Sequence, residues 1–311
     1  MKPGGYAWWY LDALSDDGRE ALTAIAFVGS VFSPYYSAAR RRGGADPEDH
    51  CALNVAIYGA GGKHWSMTER GRGATRRSAD RFVVGPSTAA WRGGGLTLQI
   101  DEIAVPWPRR IRGEVRLEAK AMFEHSVALD AAGRHHWTAL APCARVEVDL
   151  EAPRRRWSGH GYLDMNVGDE PLEDAFASWH WSRAALADGS TAVLYEVQRR
   201  AVDPAGDRNH ELAGFGLRFD PGGAVTSFVP PAPAALPATG WGIARGTRAD
   251  DPARTRVRRT LEDTPFYARS VLSQRLLGED VTAVHESLSL DRFRTRWVQA
   301  LLPFRMPRRG R

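Results

Sequence analysis

The chain has 311 residues, a formal net charge of +5, 43% hydrophobic and 25% charged residues. Those proportions belong to a folded globular chain and exclude wholesale disorder, and the length suits one large domain or two of ordinary size. Eleven Trp alongside 31 Gly and 19 Pro lean towards β-rich structure with many turns.

In chain order, 6-YAWWYLDALSDDGREALTAIAFVGSVFS-33 reads as two strands around the turn 15-SDDG-18. Residues 34–50 read as an irregular connection, and 51–70 as a second hairpin turning at 59-GAGG-62. Strand-like runs follow at 81–85, 88–103, 112–120, 144–151 and 157–166. A second group of short, turn-separated strands begins near residue 176, interrupted by the Pro-rich loop 229-VPPAPAALPATGWG-242. At the end, Phe293, Trp297, Leu301 and Phe304 are spaced for one short amphipathic helix. Many short strands with few helical patterns predict an all-β protein of antiparallel barrels or sandwiches, in two domains spanning residues 1–170 and 171–311. The basic tail is expected to belong to the second domain.

Missing patterns narrow the chemistry. Neither 59-GAGG-62 nor 93-GGG-95 has the spacing or following helix of a phosphate loop, and there is no GxSxG, HExxH or cysteine cluster. Cys51 and Cys143 stand alone, which fits a reducing compartment. No metal and no cofactor are expected. The first residues, MKPGGYAWWY, lack the apolar core of a secretory signal. The run 21-ALTAIAFVGSVF-32 falls short of the roughly 20 apolar residues a spanning helix needs. A cytoplasmic location is expected. Basic clusters at 40-RRR-42, 154-RRR-156 and 305-RMPRRGR-311 come without interleaved aromatics or a helix-turn-helix pattern. They suit an anionic lipid surface or simply a solvated Arg-rich one, and nucleic acid is not expected.

The stretch 134-RHHWTALAPCARVEVDLEAPRRRWSGHGYLDMN-166 carries His135-x-Trp137 and Tyr162-x-Asp164 on either side of an apparent hairpin. Alternate residues of a strand share a face, so each pair is expected to point one way and the four to converge on one wall. Other candidate groups are Asp12, the pairs Glu124–His125 and His285–Glu286, Glu196, and His180 within 179-WHW-181.

Five blocks together, 5-GYAWWYLDALSDDG-18, 25-IAFVGSVFSPYY-36, 157-WSGHGYLDMNVGDEP-171, 178-SWHWSRA-184 and 263-DTPFYARS-270, resemble the carotenoid 1,2-hydratases of purple photosynthetic bacteria. These are also called hydroxyneurosporene synthases. The resemblance runs over nearly the whole chain. It implies two lipocalin-like, calycin-type β domains and cofactor-free addition of water to the terminal double bond of an acyclic carotene such as neurosporene or lycopene. It also places the family's His-x-Trp and Tyr-x-Asp pattern on His135, Trp137, Tyr162 and Asp164.

Such a reaction needs a strong proton donor and a site that tolerates a tertiary cation. A buried carboxylic acid serves as donor, because burial favours its neutral form. Asp164 is the expected acid and His135 the group that orients or deprotonates water. Trp137 and Tyr162 are expected to face the cation, and Trp179, Trp181 and Tyr195 to bind the apolar chain. Because the substrate is insoluble, peripheral docking of the tail on the cytoplasmic side of the inner membrane is expected. The rival readings are a non-catalytic carrier with the same fold and a related cofactor-free cyclase or isomerase. An Asp164 side chain pointing away from a deep apolar cavity would favour the carrier.

Overall fold

The computed structural model describes residues 1–202 and 208–309, and the chain divides into two compact units. The first is Met1–Pro171 with Ala300–Arg311; the second is Leu172–Gln299.

The first unit is built on β1 (Tyr6–Ser15), β2 (Ala21–Val28), β3 (Cys51–Tyr58), β4 (His64–Arg70), β5 (Thr75–Arg77) and β6 (Arg81–Val84). It continues with β7 (Ser87–Arg92), β8 (Gly95–Ile103), β9 (Arg110–Ala119), β10 (Ser126–Ala128), β11 (His135–Ala152) and β12 (Arg154–Gly168). These form one curled antiparallel sheet in the order β4-β3-β2-β1-β12-β11-β9-β8-β7-β6-β5, with β10 on β11. Along each strand, alternate residues enter the interior: Leu11 and Ala13, Leu22 and Ala24, Leu53, Val55 and Ile57, Val115 and Leu117, Val146, Leu163. Each large apolar side chain so buried contributes roughly 1.5–3 kcal/mol.

Local chemistry explains the turns. At the β1–β2 hairpin the Ser15 hydroxyl donates to Asp17 Oδ1 at 2.6 Å, and Gly18 takes φ +70°, which a side chain would strain. The connection after β2 is not irregular as expected but starts with a helix, Pro34–Arg41. Ser33 caps it, accepting from Tyr35 N and Tyr36 N at 3.1 and 3.2 Å, and Pro34 opens it. Tyr36 is buried and its hydroxyl donates to Gly5 O at 2.5 Å. A cap of this kind is legible in Ser-Pro, but the arginines that follow mask the periodicity.

In the second unit, β13 (Phe176–Ala185), β14 (Thr191–Val202), β15 (Arg208–Phe219) and β16 (Val225–Phe228) are followed by β17 (Pro233–Leu236) and β18 (Arg245–Arg248). The last three strands of the unit are β19 (Arg256–Asp263), β20 (Tyr267–Leu276) and β21 (Glu279–Ser289). Its curled sheet runs β16-β15-β14-β13-β21-β20-β19, and β17 pairs with β18 apart from it. The Pro-rich stretch thus holds a short strand, where a loop was expected. Ala184, Leu194, Leu272 and Ala283 form part of the interior. Both units are lipocalin-like, curled and all-β.

The chain end departs from expectation in two ways. Helix Leu290–Phe293 and helix Arg296–Arg305 replace the single helix. Phe293 is buried with Val298 and Leu302, whereas Trp297, Leu301 and Phe304 remain 45%, 43% and 78% exposed. Residues 300–311 also count with the first unit rather than the second. The strand β22 (Arg308–Arg309) pairs in parallel with β4, and Arg308 forms ion pairs with Glu69 and, at 2.9 Å, with Asp49.

Candidate active site

Strand register assembles the site. β11 and β12 are longer than the sequence suggests and form one hairpin, with β1 on the other side of β12. Tyr6, Tyr10 and Asp12 of β1 lie opposite Gly168, Asp164 and Tyr162 of β12, while His135, Trp137 and Ala139 of β11 lie opposite Gly168, Asn166 and Asp164. Directly paired residues share a face. His135, Trp137, Tyr162 and Asp164 therefore converge on one wall, joined by Tyr6, Tyr10 and Asp12.

All four expected residues are buried, Asp164 at 4% exposure and the other three at 0%. Trp137 Nε1 donates to Asp164 Oδ2 at 2.7 Å, and the Tyr162 hydroxyl donates to the same oxygen at 2.9 Å. An indole N–H only donates, so Oδ2 is held as an acceptor, and a proton on this carboxyl would sit on Oδ1. Trp137 and Tyr162 thus meet the carboxyl through their polar edges. The Tyr10 and Tyr162 rings pack edge-to-face, 6.3 Å between centroids.

His135 shares the wall but belongs to a second hydrogen-bonded group. Its backbone N–H donates to Asp130 Oδ1 at 2.7 Å, its Nδ1 lies 2.9 Å from the Tyr6 hydroxyl, and its Nε2 lies 3.4 Å from Glu170 Oε1. A carboxylate only accepts, which assigns the ring proton to Nε2 and leaves Nδ1 to accept from Tyr6. Tyr6 stacks on Trp8 at 4.9 Å. Gly168 makes room for the pair: a Cβ there would overlap the Tyr6 ring and sit 2.7 Å from His135 Nδ1. Burial pushes the His135 imidazole below its ordinary value, opposed by the carboxylates of Asp130 and Glu170.

Residues 24–311 match the family described as carotenoid hydratase CrtC. The chain belongs to the carotenoid hydratase family. It is 56% identical, over its whole length and 75% of the relative's, to the acyclic carotenoid 1,2-hydratase of Thiocapsa roseopersicina. It is 53% identical on the same coverage to that of Rubrivivax gelatinosus. The protein so named from Cereibacter sphaeroides is 39% identical over 92% of this chain and 98% of its own. Among solved structures, a putative AttH from Nitrosomonas europaea superposes with a TM-score of 0.63 at 14% identity, covering 92% of both chains. CghA in complex with Sch210972 gives 0.55 at 14% identity over 93% of this chain and 89% of its own. Those two share the fold.

Within this family member the other candidates separate. Trp179, Trp181 and Tyr195 belong to the second unit and share one face of β13 and β14, with Trp179 and Tyr195 rings 6.5 Å apart and Tyr195 stacked on Phe215 at 5.5 Å. Glu196 accepts from Arg248 at 2.6 and 2.8 Å, and Glu286 from Arg269 and the Tyr267 hydroxyl, both at 2.7 Å. Glu124 and His125 are exposed and precede β10 rather than lying on a strand. Asp12 is fully buried on the Asp164 wall. Tyr6 and Glu170 had no place in the sequence reading. The alternation Tyr6, Trp8, Tyr10, Asp12 was the available signal for the first of them.

The first unit also holds an apolar cavity of about 330 Å³ lined by Trp9, Leu11, Ala26, Leu53, Trp91 and Leu163 among others. Leu163 lies between Tyr162 and Asp164 in sequence, so the cavity occupies the opposite face of the sheet from the Asp164 carboxyl.

Proton titration of the imidazoles by NMR should place the His135 midpoint below 6.5, its ordinary value. Glu170→Gln, which deletes a carboxylate that holds the proton, should move it lower still. A midpoint at or above 6.5 in the wild type would contradict this assignment of causes.

Proposed function

We propose that the protein is a hydratase of acyclic carotenes, adding water across the terminal C1–C2 double bond, with Asp164 as the acid. The observation that carries this reading is the carboxyl of Asp164, buried and gripped at one oxygen by both Trp137 and Tyr162. The names of the relatives at 56% and 53% identity support it.

The mechanism follows from the donor geometry. The Oδ1 proton passes to C2 and the π electron pair forms the new C2–H bond, leaving a tertiary cation at C1. The carboxylate left behind gains charge on the group that two fixed donors already address. Donors aimed where charge develops lower the barrier more than they stabilise the ground state. Water then attacks C1, and the resulting oxonium gives its extra proton to a base. The neutral His135 supplies one through Tyr6, whose hydroxyl already points at Nδ1: Tyr6 accepts a proton from the oxonium as it releases its own to the imidazole. Glu170 and Asp130 stabilise the imidazolium. Return of that proton to Asp164 through water closes the cycle, so water is the sole co-reactant.

A carrier is the second reading, and a specific observation favours it. The 330 Å³ cavity is apolar, and Asp164 does not point into it. Against it stands the cost of a buried carboxyl, which a carrier has no use for. Turnover decides. With dispersed lycopene and no added cofactor, the wild type should give a water adduct. Asp164→Asn should stay folded and bind lycopene without converting it, and Tyr162→Phe should lose about a hundredfold in kcat, as for loss of one donor to a developing charge. Lycopene binding without any adduct in the wild type would leave the carrier.

No helix among the described residues is long and apolar enough to cross a membrane. The docking surface for an insoluble substrate is assigned to helix Arg296–Arg305, where the exposed Trp297, Leu301 and Phe304 are accompanied by exposed Arg294 and Arg296. Replacing the three apolar residues by Ser should abolish sedimentation with anionic vesicles and spare hydration of a short soluble alkene. Unchanged sedimentation would remove this helix from the account.

A further inference from the structure

The interior of the second unit contains a pocket of about 240 Å³ that the reaction above does not use. His180, Leu194, Glu196, Leu212, Arg248 and His285 are among its lining residues. It is a mixed site, apolar along one side and polar along the other, and its polar groups constrain what it accepts.

The two charges satisfy each other. Arg248 Nε and Nη2 both donate to Glu196 Oε2, at 2.8 and 2.6 Å, and Nη1 reaches Pro231 O at 3.4 Å. An ion pair of this kind leaves no net charge for an anion or cation to balance.

The histidines differ. His180 Nδ1 lies 2.8 Å from the Ser287 hydroxyl, and its ring stacks on that of His285 at 6.1 Å. His285 is 1% exposed, and its Nε2 lies 2.8 Å from the carbonyl of Gly246. A carbonyl only accepts, so Nε2 carries the proton. Burial first, then the neighbouring His180, lowers the imidazole to about 3, so the ring is neutral at any working pH. Its Nδ1 is therefore a bare lone pair, buried, with no hydrogen-bond partner among the described residues. An unmet buried acceptor is costly, and a ligand that donates to it gains accordingly.

We propose that this pocket binds the tertiary-alcohol end of a hydrated polyene, its hydroxyl donating to His285 Nδ1 and its methyl groups packing on Leu194 and Leu212. A hydrocarbon end offers no donor and leaves Nδ1 unmet, so the pocket separates hydrated from unhydrated chain ends. Leu212, 60% exposed, stands at the rim where the remaining chain leaves. The choice of alcohol rests on the hydratase reading; the demand for a neutral hydroxyl donor rests on His285 alone.

The test uses the full chain and two saturated probes, 2,6-dimethyloctan-2-ol and 2,6-dimethyloctane, with binding constants and the His285 Nδ1 nitrogen resonance as readouts. The alcohol should bind about tenfold more tightly than the alkane, the factor expected for one satisfied buried acceptor. It alone should shift the Nδ1 resonance. His285→Leu should remove the preference. Should that variant fail to fold, Leu212→Trp, at the exposed rim, should weaken the alcohol by a similar factor. Equal affinities, failure of both probes to bind, or an unmoved Nδ1 at saturating alcohol would overturn the proposal. Neither probe has a double bond, so turnover does not enter: a protein that binds the alcohol through His285 but hydrates nothing would sink the hydratase reading and leave the alcohol site.

Discussion

One carboxylate oxygen organises the wall formed by β1, β12 and β11. Asp164 Oδ2 accepts from an indole and a phenol that reach it from an adjacent strand and from two residues before it on its own. That convergence depends on register, since a slip of one residue along β12 would turn Asp164 and Tyr162 to the other face. The β1–β12–β11 ladder, long and antiparallel, fixes the register, and Gly168 lets Tyr6 and His135 meet at its end. Two hydrogen-bonded groups are thereby mounted on one wall: the Asp164 carboxyl with Trp137 and Tyr162, and the His135 imidazole with the Tyr6 hydroxyl.

The same alternation separates the two faces of the sheet. Leu163, between the acid and its tyrosine, belongs to the interior core of the first unit. Along β12 the interior face is apolar at Leu163, while the opposite face carries Tyr162 and Asp164. A single strand therefore carries core on one side and the Asp164 group on the other.

Much of the site was legible because strand periodicity is strict. His135-x-Trp137 and Tyr162-x-Asp164 could be assigned to common faces from spacing alone, and the family resemblance singled them out. Tyr6 was not legible, because it lies 129 residues from His135 and only the β1–β12 and β12–β11 pairings bring them together. The helix after Ser33 was missed since its caps, rather than its periodicity, define it. The tail misled in a different way. Phe293, Trp297, Leu301 and Phe304 were placed on one face by spacing, but the break before Arg296 rotates the frame, burying the first and exposing the rest.

The central claim is that Asp164 delivers a proton to C2 before water captures C1. It is tested most directly by running the hydration in heavy water and locating the label. The account predicts one non-exchangeable deuteron at C2, solvent oxygen at C1, and a slowed reaction because the proton transfer is in the rate-limiting step. Product without deuterium at C2 would contradict the mechanism, and with it the role of Asp164.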